Sequence, residues 1–496
     1  MFKFKKQLRI SSRLLRNMQY MALAFFLVGC TATSTTFQFA ATAVPSPEAT
    51  STPYASRPIY KPGELVDYIA QTGDTIPGLA GRFNSSEEEI FTANPIIPAD
   101  VSTLPPGLPM QIPIYYLPLW GSQFQIMPDS AFINGPAATE FDASGFVDAY
   151  PGWLNGYKAY AGGENRSGAE IVDYVAANFS VSPRLLLALL EYQAGALTEL
   201  EEPETPYTLG YVEEKYHKGM YLQLIWAANT LNNGYYGWRN GLLTEFDRED
   251  GHLERPDPWQ NAATVGIQYY FSRNHAGVKY EKAIGAEGLF ETYTKLFGNP
   301  HADKRIHIPG SLEQPEFILP FPRGRTWTYT GGPHTGWGEG APFAAIDFAP
   351  PTEFSGCFVA EPQQFATAVA SGMVTRVDRG LVILDLDMDG DERTGWAIIY
   401  LHIATPNRAK LGSIVNVGDS LGYPSCEGGT TTGTHIHMAR KYNGEWIAAD
   451  GPIPFDMEDW IPQNGAEVYQ GTLSRNGIIV TASSVSAANS QITSRE

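Results

Sequence analysis

Positive charge is scarce in this 496-residue chain, which holds 34 Lys and Arg against 53 Asp and Glu for a net charge of −19. Six of the cations (Lys3, Lys5, Lys6, Arg9, Arg13 and Arg16) fall in the first 29 residues, which hold no acid, so the remainder carries −25. That balance excludes nucleic-acid binding through a general attraction to phosphate. Cysteine is nearly absent, with Cys30, Cys357 and Cys426 alone. Long apolar runs are absent too. The one candidate, "MALAFFLVGC" at 21–30, is too short to span a bilayer comfortably. Histidine numbers only nine, yet "TGTHIHMAR" places two of them one residue apart. In a strand His435 and His437 share one face while Ile436 and Met438 point into a core. A metal ion or a hydrogen-bond network would let two imidazoles coexist there; two surface histidines are the alternative.

What is present suits several packed cores: 43% hydrophobic residues, with 26 Tyr, 25 Phe and 10 Trp. A basic stretch before a short apolar run reads as an export signal over 1–29. Leu27-Val28-Gly29-Cys30 resembles a bacterial lipobox, which implies cleavage before Cys30 and its lipidation. The resemblance implies an extracytoplasmic chain, lipid-anchored to a bacterial membrane. Residues 30–62, rich in Thr, Ser and Pro, read as a tether that cannot build a core. Cys357 and Cys426 then remain, either as a disulfide adding about 4 kcal/mol by loop closure or as two buried thiols.

Over 63–117 a strand around Tyr68 leads to a Gly73-Asp74-Thr75 turn. Leu79, Phe83, Ile90 and Phe91 are spaced for two short helices, the second capped by Ser85 or Ser86, and "MQIPI" reads as a closing strand. The segment resembles the lysin motif (LysM), a βααβ module, which implies binding to the glycan of peptidoglycan.

Residues 118–304 read as mostly helical. "SVSPRLLLALLEYQAG" places Ser182 as N-cap and Pro183 at the first helical position. Its leucines lie nearly all round, so the helix should be buried. Glu191 falls near its C-terminal end, where the helix dipole disfavours a carboxylate. The pattern resembles the goose-lysozyme and lytic-transglycosylase superfamily, which would make Glu191 a glycosidase acid, although Tyr192 replaces the Ser usual after that Glu. A helical spacer with Glu191 in solvent is the alternative.

From 305 to 470 glycines and alternating β-branched runs read as short antiparallel strands. His334, Asp347, the Ala368–Val374 strand, Tyr400-Leu401-His402-Ile403, the Val415–Gly422 turn and Gly433–His437 keep the order of the lysostaphin/LytM-type zinc endopeptidases, whose pattern this stretch resembles. The resemblance implies zinc held by His334, Asp347 and His437, with His402 and His435 as the base and the oxyanion stabiliser in an unassigned order. Here twelve residues separate His334 from Asp347, where the family usually has three, and Phe343 occupies the usual His position. The stretch "TGWGEGAPF" therefore reads as an inserted loop from which His334 returns; His301 or His307 would otherwise substitute. Asp385, Asp387, Asp389 and Asp391 alternate ahead of Trp396 in "DLDMDGDERTGW", half of a calcium loop or a solvated turn. Residues 471–496 read as a polar peripheral tail.

The chain is thus expected to be a multidomain α+β protein: a small βααβ module, a mostly α-helical middle domain and an antiparallel β C-terminal domain. It reads as a peptidoglycan hydrolase, a zinc endopeptidase cutting stem peptides or cross-bridges. Two other readings are a zinc-free scaffold activating a partner amidase, and a bifunctional enzyme that also cuts glycan through Glu191.

Overall fold

The computed structural model describes residues 57–116, 121–352, 356–485 and 487–496. The export signal, Cys30 and the tether up to residue 56 lie outside the described residues. Strand β1 (Glu64–Ile69), helices α1 (Ile76–Phe83) and α2 (Glu87–Ala93) and strand β2 (Pro109–Ile114) come first, and β1 pairs antiparallel with β2. The Thr75 hydroxyl accepts the Gly78 N–H to cap α1, and Pro77 sits in the first turn, where its missing N–H costs nothing. Ser86 caps α2 in a reciprocal pair with Glu89. Tyr68, Ile76, Leu79, Phe83, Ile90 and Ile112 form the core of this βααβ unit.

The middle region is helical around α3 (Gly168–Phe179), α4 (Pro183–Ala194), α5 (Met220–Arg239) and α6 (Ala262–Ser272). Ser182 stands at the N-cap of α4 without a side-chain cap bond, and the leucines from 185 to 190 are fully buried. Helices α5 and α6 cross at glycines: a Cβ on Gly234 would lie 2.9 Å from the Gly266 Cα. Only glycine permits that approach.

The C-terminal region is built on a nine-stranded antiparallel sheet. Its strands are β3 (Thr326–His334), β4 (Ala345–Ala349), β5 (Gly372–Asp378), β6 (Leu381–Asp385), β7 (Trp396–Leu401), β8 (Ile414–Val415), β9 (Ile436–Tyr442), β10 (Glu445–Trp446) and β14 (Gln491–Thr493). They run in the order β8-β5-β6-β7-β9-β4-β3-β14, with β10 hairpinned onto β9. Strands β6 and β7 are apolar without alternation because both faces are covered. Leu381, Ile383, Ala397, Ile399 and Ala439 share a core with the helices. Val382, Leu384, Ile398, Tyr400, Ile436 and Met438 pack on the far side with Trp327, Tyr329 and Phe348.

Residues 471–496, expected as a peripheral tail, are structural. Strands β11 (Ile461–Asn464), β12 (Gly471–Arg475) and β13 (Ile478–Thr481) form a meander, and β14 pairs with β3 in the main sheet. Asn476 and Gly477 take positive φ values of 50° and 79° at the hairpin tip, the geometry that Asn-Gly favours. Leu473, Val480 and Ile492 supply the buried face.

The three regions do not stand apart. Arg239 at the end of α5 pairs with Asp129 and Glu445, each at 3.0 Å, and donates to the Thr72 carbonyl of the βααβ unit. His307 Nε2 lies 2.6 Å from the Glu445 carboxylate. Burial alone would raise the Glu445 pKa, but Arg239 and His307 hold it down at about 2. Removing one member of such a buried set costs about 3–5 kcal/mol, since it strands the other charges.

Candidate metal centre

His334 ends β3, Asp347 is the central residue of β4, and His437 is the second residue of β9. The register sets Asp347 directly opposite both Gly331 and His437. Two shifts in the β3–β4 pairing, after Tyr329 and after Gly331, carry His334 to a place opposite Ala345. Bulges of this kind re-aim a side chain beside a functional site. The twelve intervening residues therefore cost no separation in space. Gly331 is required here, because a Cβ there would lie 2.5 Å from Asp347 Oδ2.

His334 Nε2 lies 2.9 Å from His437 Nδ1, and the two nitrogens are 3.3 and 3.4 Å from Asp347 Oδ1. Their other nitrogens are engaged: His334 Nδ1 donates to the Gly332 carbonyl at 2.8 Å, and His437 Nε2 to the Gly336 carbonyl at 3.1 Å. Carbonyl partners fix the tautomers, so both lone pairs face one another and the carboxylate. Asp347 Oδ1 is buried without a hydrogen-bond partner, and the three residues are only 2%, 5% and 8% exposed. An orphaned anionic oxygen and two opposed lone pairs are unfavourable without a cation between them. Tetrahedral zinc, with bonds of about 2.0–2.1 Å, sets ligand atoms about 3.3 Å apart. The donor set and its spacing fit that ion.

His402 and His435 stand beside the three, their ring centroids 4.5 Å apart. His402 follows β7 with φ of 67°, a region uncommon outside glycine. Ser425 holds that bend, its N–H and its hydroxyl donating to the His402 carbonyl at 2.7 and 2.9 Å. His402 Nδ1 lies 2.9 Å from the Glu427 carbonyl, and His435 Nδ1 lies 2.8 Å from the Gly433 carbonyl. Both rings thus keep Nε2 for chemistry, and that of His435 is 3.7 Å from Asp347 Oδ2. Burial and the neighbouring His435 ring push the His402 pKa down to about 4, so its imidazole is neutral at neutral pH.

Cys357 and Cys426 form a disulfide with Cα atoms 5.7 Å apart. It lies beside the segment that orients His402: Cys426 sits between Ser425 and Glu427, which hold that residue. Next to Cys357, Phe358 donates its N–H to the Thr434 hydroxyl, one residue before His435. A second brace comes from the helices. On α5, Asn229 Oδ1 accepts the Glu339 N–H at 2.9 Å and Asn233 Oδ1 accepts the Ala341 N–H at 2.6 Å. Those bonds hold the 335–343 loop, whose Gly336 carbonyl orients His437. Tyr469 stacks on the His334 ring at 4.2 Å. The motif spacing reveals none of Gly331, Ser425, Asn229, Asn233 or Tyr469; the doubled glycine of "GGPH" is the single local signal.

The other expected residues lie elsewhere. His307 belongs to the Glu445 network, and His301 Nε2 is 3.1 Å from the Gln125 carbonyl, so neither replaces His334. Glu191 accepts the Leu197 N–H at 2.8 Å and the Thr198 hydroxyl at 2.6 Å, tying down the loop after α4. Asp385, Asp387 and Asp389 come together, but Asp391 turns away to pair with Arg393 at 2.6 Å.

Residues 125–310, the helical region, match the family model "LasA, N-terminal domain". The chain is 23% identical over 359 residues to protease LasA of Pseudomonas aeruginosa (strain UCBPP-PA14), covering 69% of this chain and 78% of that one. It is 27% identical over 140 residues to the beta-lytic metalloendopeptidase of Lysobacter enzymogenes, covering 27% and 72% of the respective chains. Among solved structures, the M23 metalloprotease pseudoalterin aligns at 24% identity with a TM-score of 0.29, over 34% of this chain and 96% of that one.

Proposed function

We propose that the chain is a zinc metalloendopeptidase of the LasA-like M23 family, exported to hydrolyse bacterial cell-wall peptidoglycan by cutting bonds in stem peptides or cross-bridges. The observation that carries this reading is the closed cluster of His334, Asp347 and His437 with two further histidines beside it. A zinc ion in that cluster would supply Lewis acidity and make a water molecule a nucleophile near neutral pH.

The chain's own groups do the rest. Of His402 and His435, one takes the proton of the attacking water on Nε2 and later delivers it to the leaving amine. The other donates an N–H bond to the oxyanion of the tetrahedral intermediate. Their Nδ1–H bonds to backbone carbonyls orient both rings and leave Nε2 of a neutral ring free as the base, while the ring that donates to the oxyanion does so once it is protonated on Nε2 as well. The disulfide supports an extracytoplasmic site of action, because such bonds persist in oxidising compartments. In the same reading the βααβ unit over 63–117 is a LysM module that holds glycan, and Cys30 carries the lipid anchor. Retention of all three ligands and both accessory histidines favours the enzyme over a zinc-free amidase activator.

The test is digestion of purified peptidoglycan with and without chelator, counting new amino termini and new reducing ends. Chelator-sensitive amino termini without reducing ends are expected. Zinc-loaded protein that releases no amino termini from cell walls of varied cross-bridge chemistry would overturn the substrate assignment.

A further inference from the structure

We infer that the hairpin between β6 and β7 is a calcium site held by Asp385, Asp387 and Asp389. One carboxylate oxygen from each comes within 4.8 Å of the others. Acidic hairpins are common, and the decisive feature is Asp385. It ends β6 fully buried, at 0% exposure, with one carboxylate oxygen receiving the Gly390 N–H at 2.9 Å. The other, Oδ1, is buried and has no hydrogen-bond partner among the described residues. An orphaned carboxylate oxygen in a buried place is costly unless a cation meets it.

The nearby cations are engaged elsewhere. Arg393 pairs with Asp391 at 2.6 Å, and Arg376 and Lys441 face Glu392. Asp387 and Asp389 receive only neutral donors, the Asp389 and Asp391 N–H groups and the Thr394 hydroxyl, so among the described residues the three converging carboxylates have no counter-charge. The donors are all hard oxygens on alternate residues, with Gly390 at the sixth place in a positive-φ turn of 90°. That donor set and glycine position suit Ca²⁺, which takes six to eight oxygens in flexible geometry, and not zinc, which prefers nitrogen and sulfur. Asp391, engaged by Arg393, gives no carboxylate oxygen, and water would complete the shell. Arg393 also donates to the Ala138 and Thr139 carbonyls of the helical region, so an ordered hairpin would hold that contact as well.

The test uses the full-length protein, zinc-loaded and cleared of other divalent ions, titrated calorimetrically with CaCl₂ to about 10 mM, beyond the weakest class of calcium loops. Wild type is compared with an Asp387→Asn/Asp389→Asn double variant; both side chains are exposed, so folding should survive. The expected result is one calcium per wild-type chain, affinity at least tenfold weaker in the double variant, and unchanged zinc content. Calcium at a hundredfold the wild-type Kd should raise the wild-type Tm by roughly 3–5 °C and that of the variant by no more than about half as much. No heat and no Tm shift in wild type would overturn the inference, as would a double variant that binds like wild type. Zinc is measured in the same samples, so failure of the peptidase reading is seen separately.

Discussion

Two clusters of ligand-type side chains lie on this sheet, and they differ in what surrounds them. At the β3–β4–β9 junction two imidazoles and one carboxylate are buried, and each imidazole is fixed by a backbone carbonyl. At the β6–β7 hairpin three carboxylates meet, two of them exposed, held by loop amides. The first arrangement is rigid, nitrogen-rich and braced from neighbouring elements. The second is oxygen-only and depends on its own turn. Softness of donors and the fixing of ligand rings by backbone carbonyls, more than the number of ligands, separate a zinc centre from a calcium loop.

Substitutions can break or sharpen that contrast. Asp347→Ala should abolish zinc binding and lower peptide cleavage by at least about 10³-fold while calcium binding persists. Loss of both ions together would mean that the two clusters are not independent. His402→Ala and His435→Ala should each keep about one zinc per chain and slow cleavage by about 10²–10⁴-fold. A pH–rate profile of the two variants, by losing the acidic or the alkaline limb, would assign base and oxyanion donor. Gly331→Ala should weaken zinc by about 10–100-fold, since the new methyl pushes on Asp347. The Asn229→Ala/Asn233→Ala pair releases the 335–343 loop from α5 and should lower cleavage by less than about tenfold, zinc content being kept. A larger fall would make the helical brace as important as the ligands' own carbonyls. Glu191→Gln should leave peptide cleavage unchanged; any release of reducing ends that survives it would exclude Glu191 as a glycosidase acid.

Much of this was legible in the sequence because the chemistry sits on strands. "THIHMA" set His435 and His437 on one face by alternation alone, and Ala439 shows that this face looks toward the helices. The order of histidines and the aspartate carries the resemblance that implies the ligand set, and the fold brings those three side chains together. The return of His334 was only an expectation, since bulges depend on pairing that no local spacing encodes. The braces on the histidines are backbone carbonyls and distant amides, which carry no residue-type signal. The terminal strands are a different case. Asn476-Gly477 between apolar alternations marks a hairpin, but the polar composition around it reads as a tail. Alternation survives in a half-exposed strand even where the average composition is polar.

The central claim is that His334 reaches the metal across its twelve-residue separation from Asp347. Zinc content of the purified protein, wild type beside His334→Ala, tests it most directly, with cleavage assayed on the same samples. The account predicts about one zinc per wild-type chain, lost together with chelator-sensitive cleavage in the variant. Zinc retained at wild-type stoichiometry without His334, or a wild type that takes up none, would contradict it.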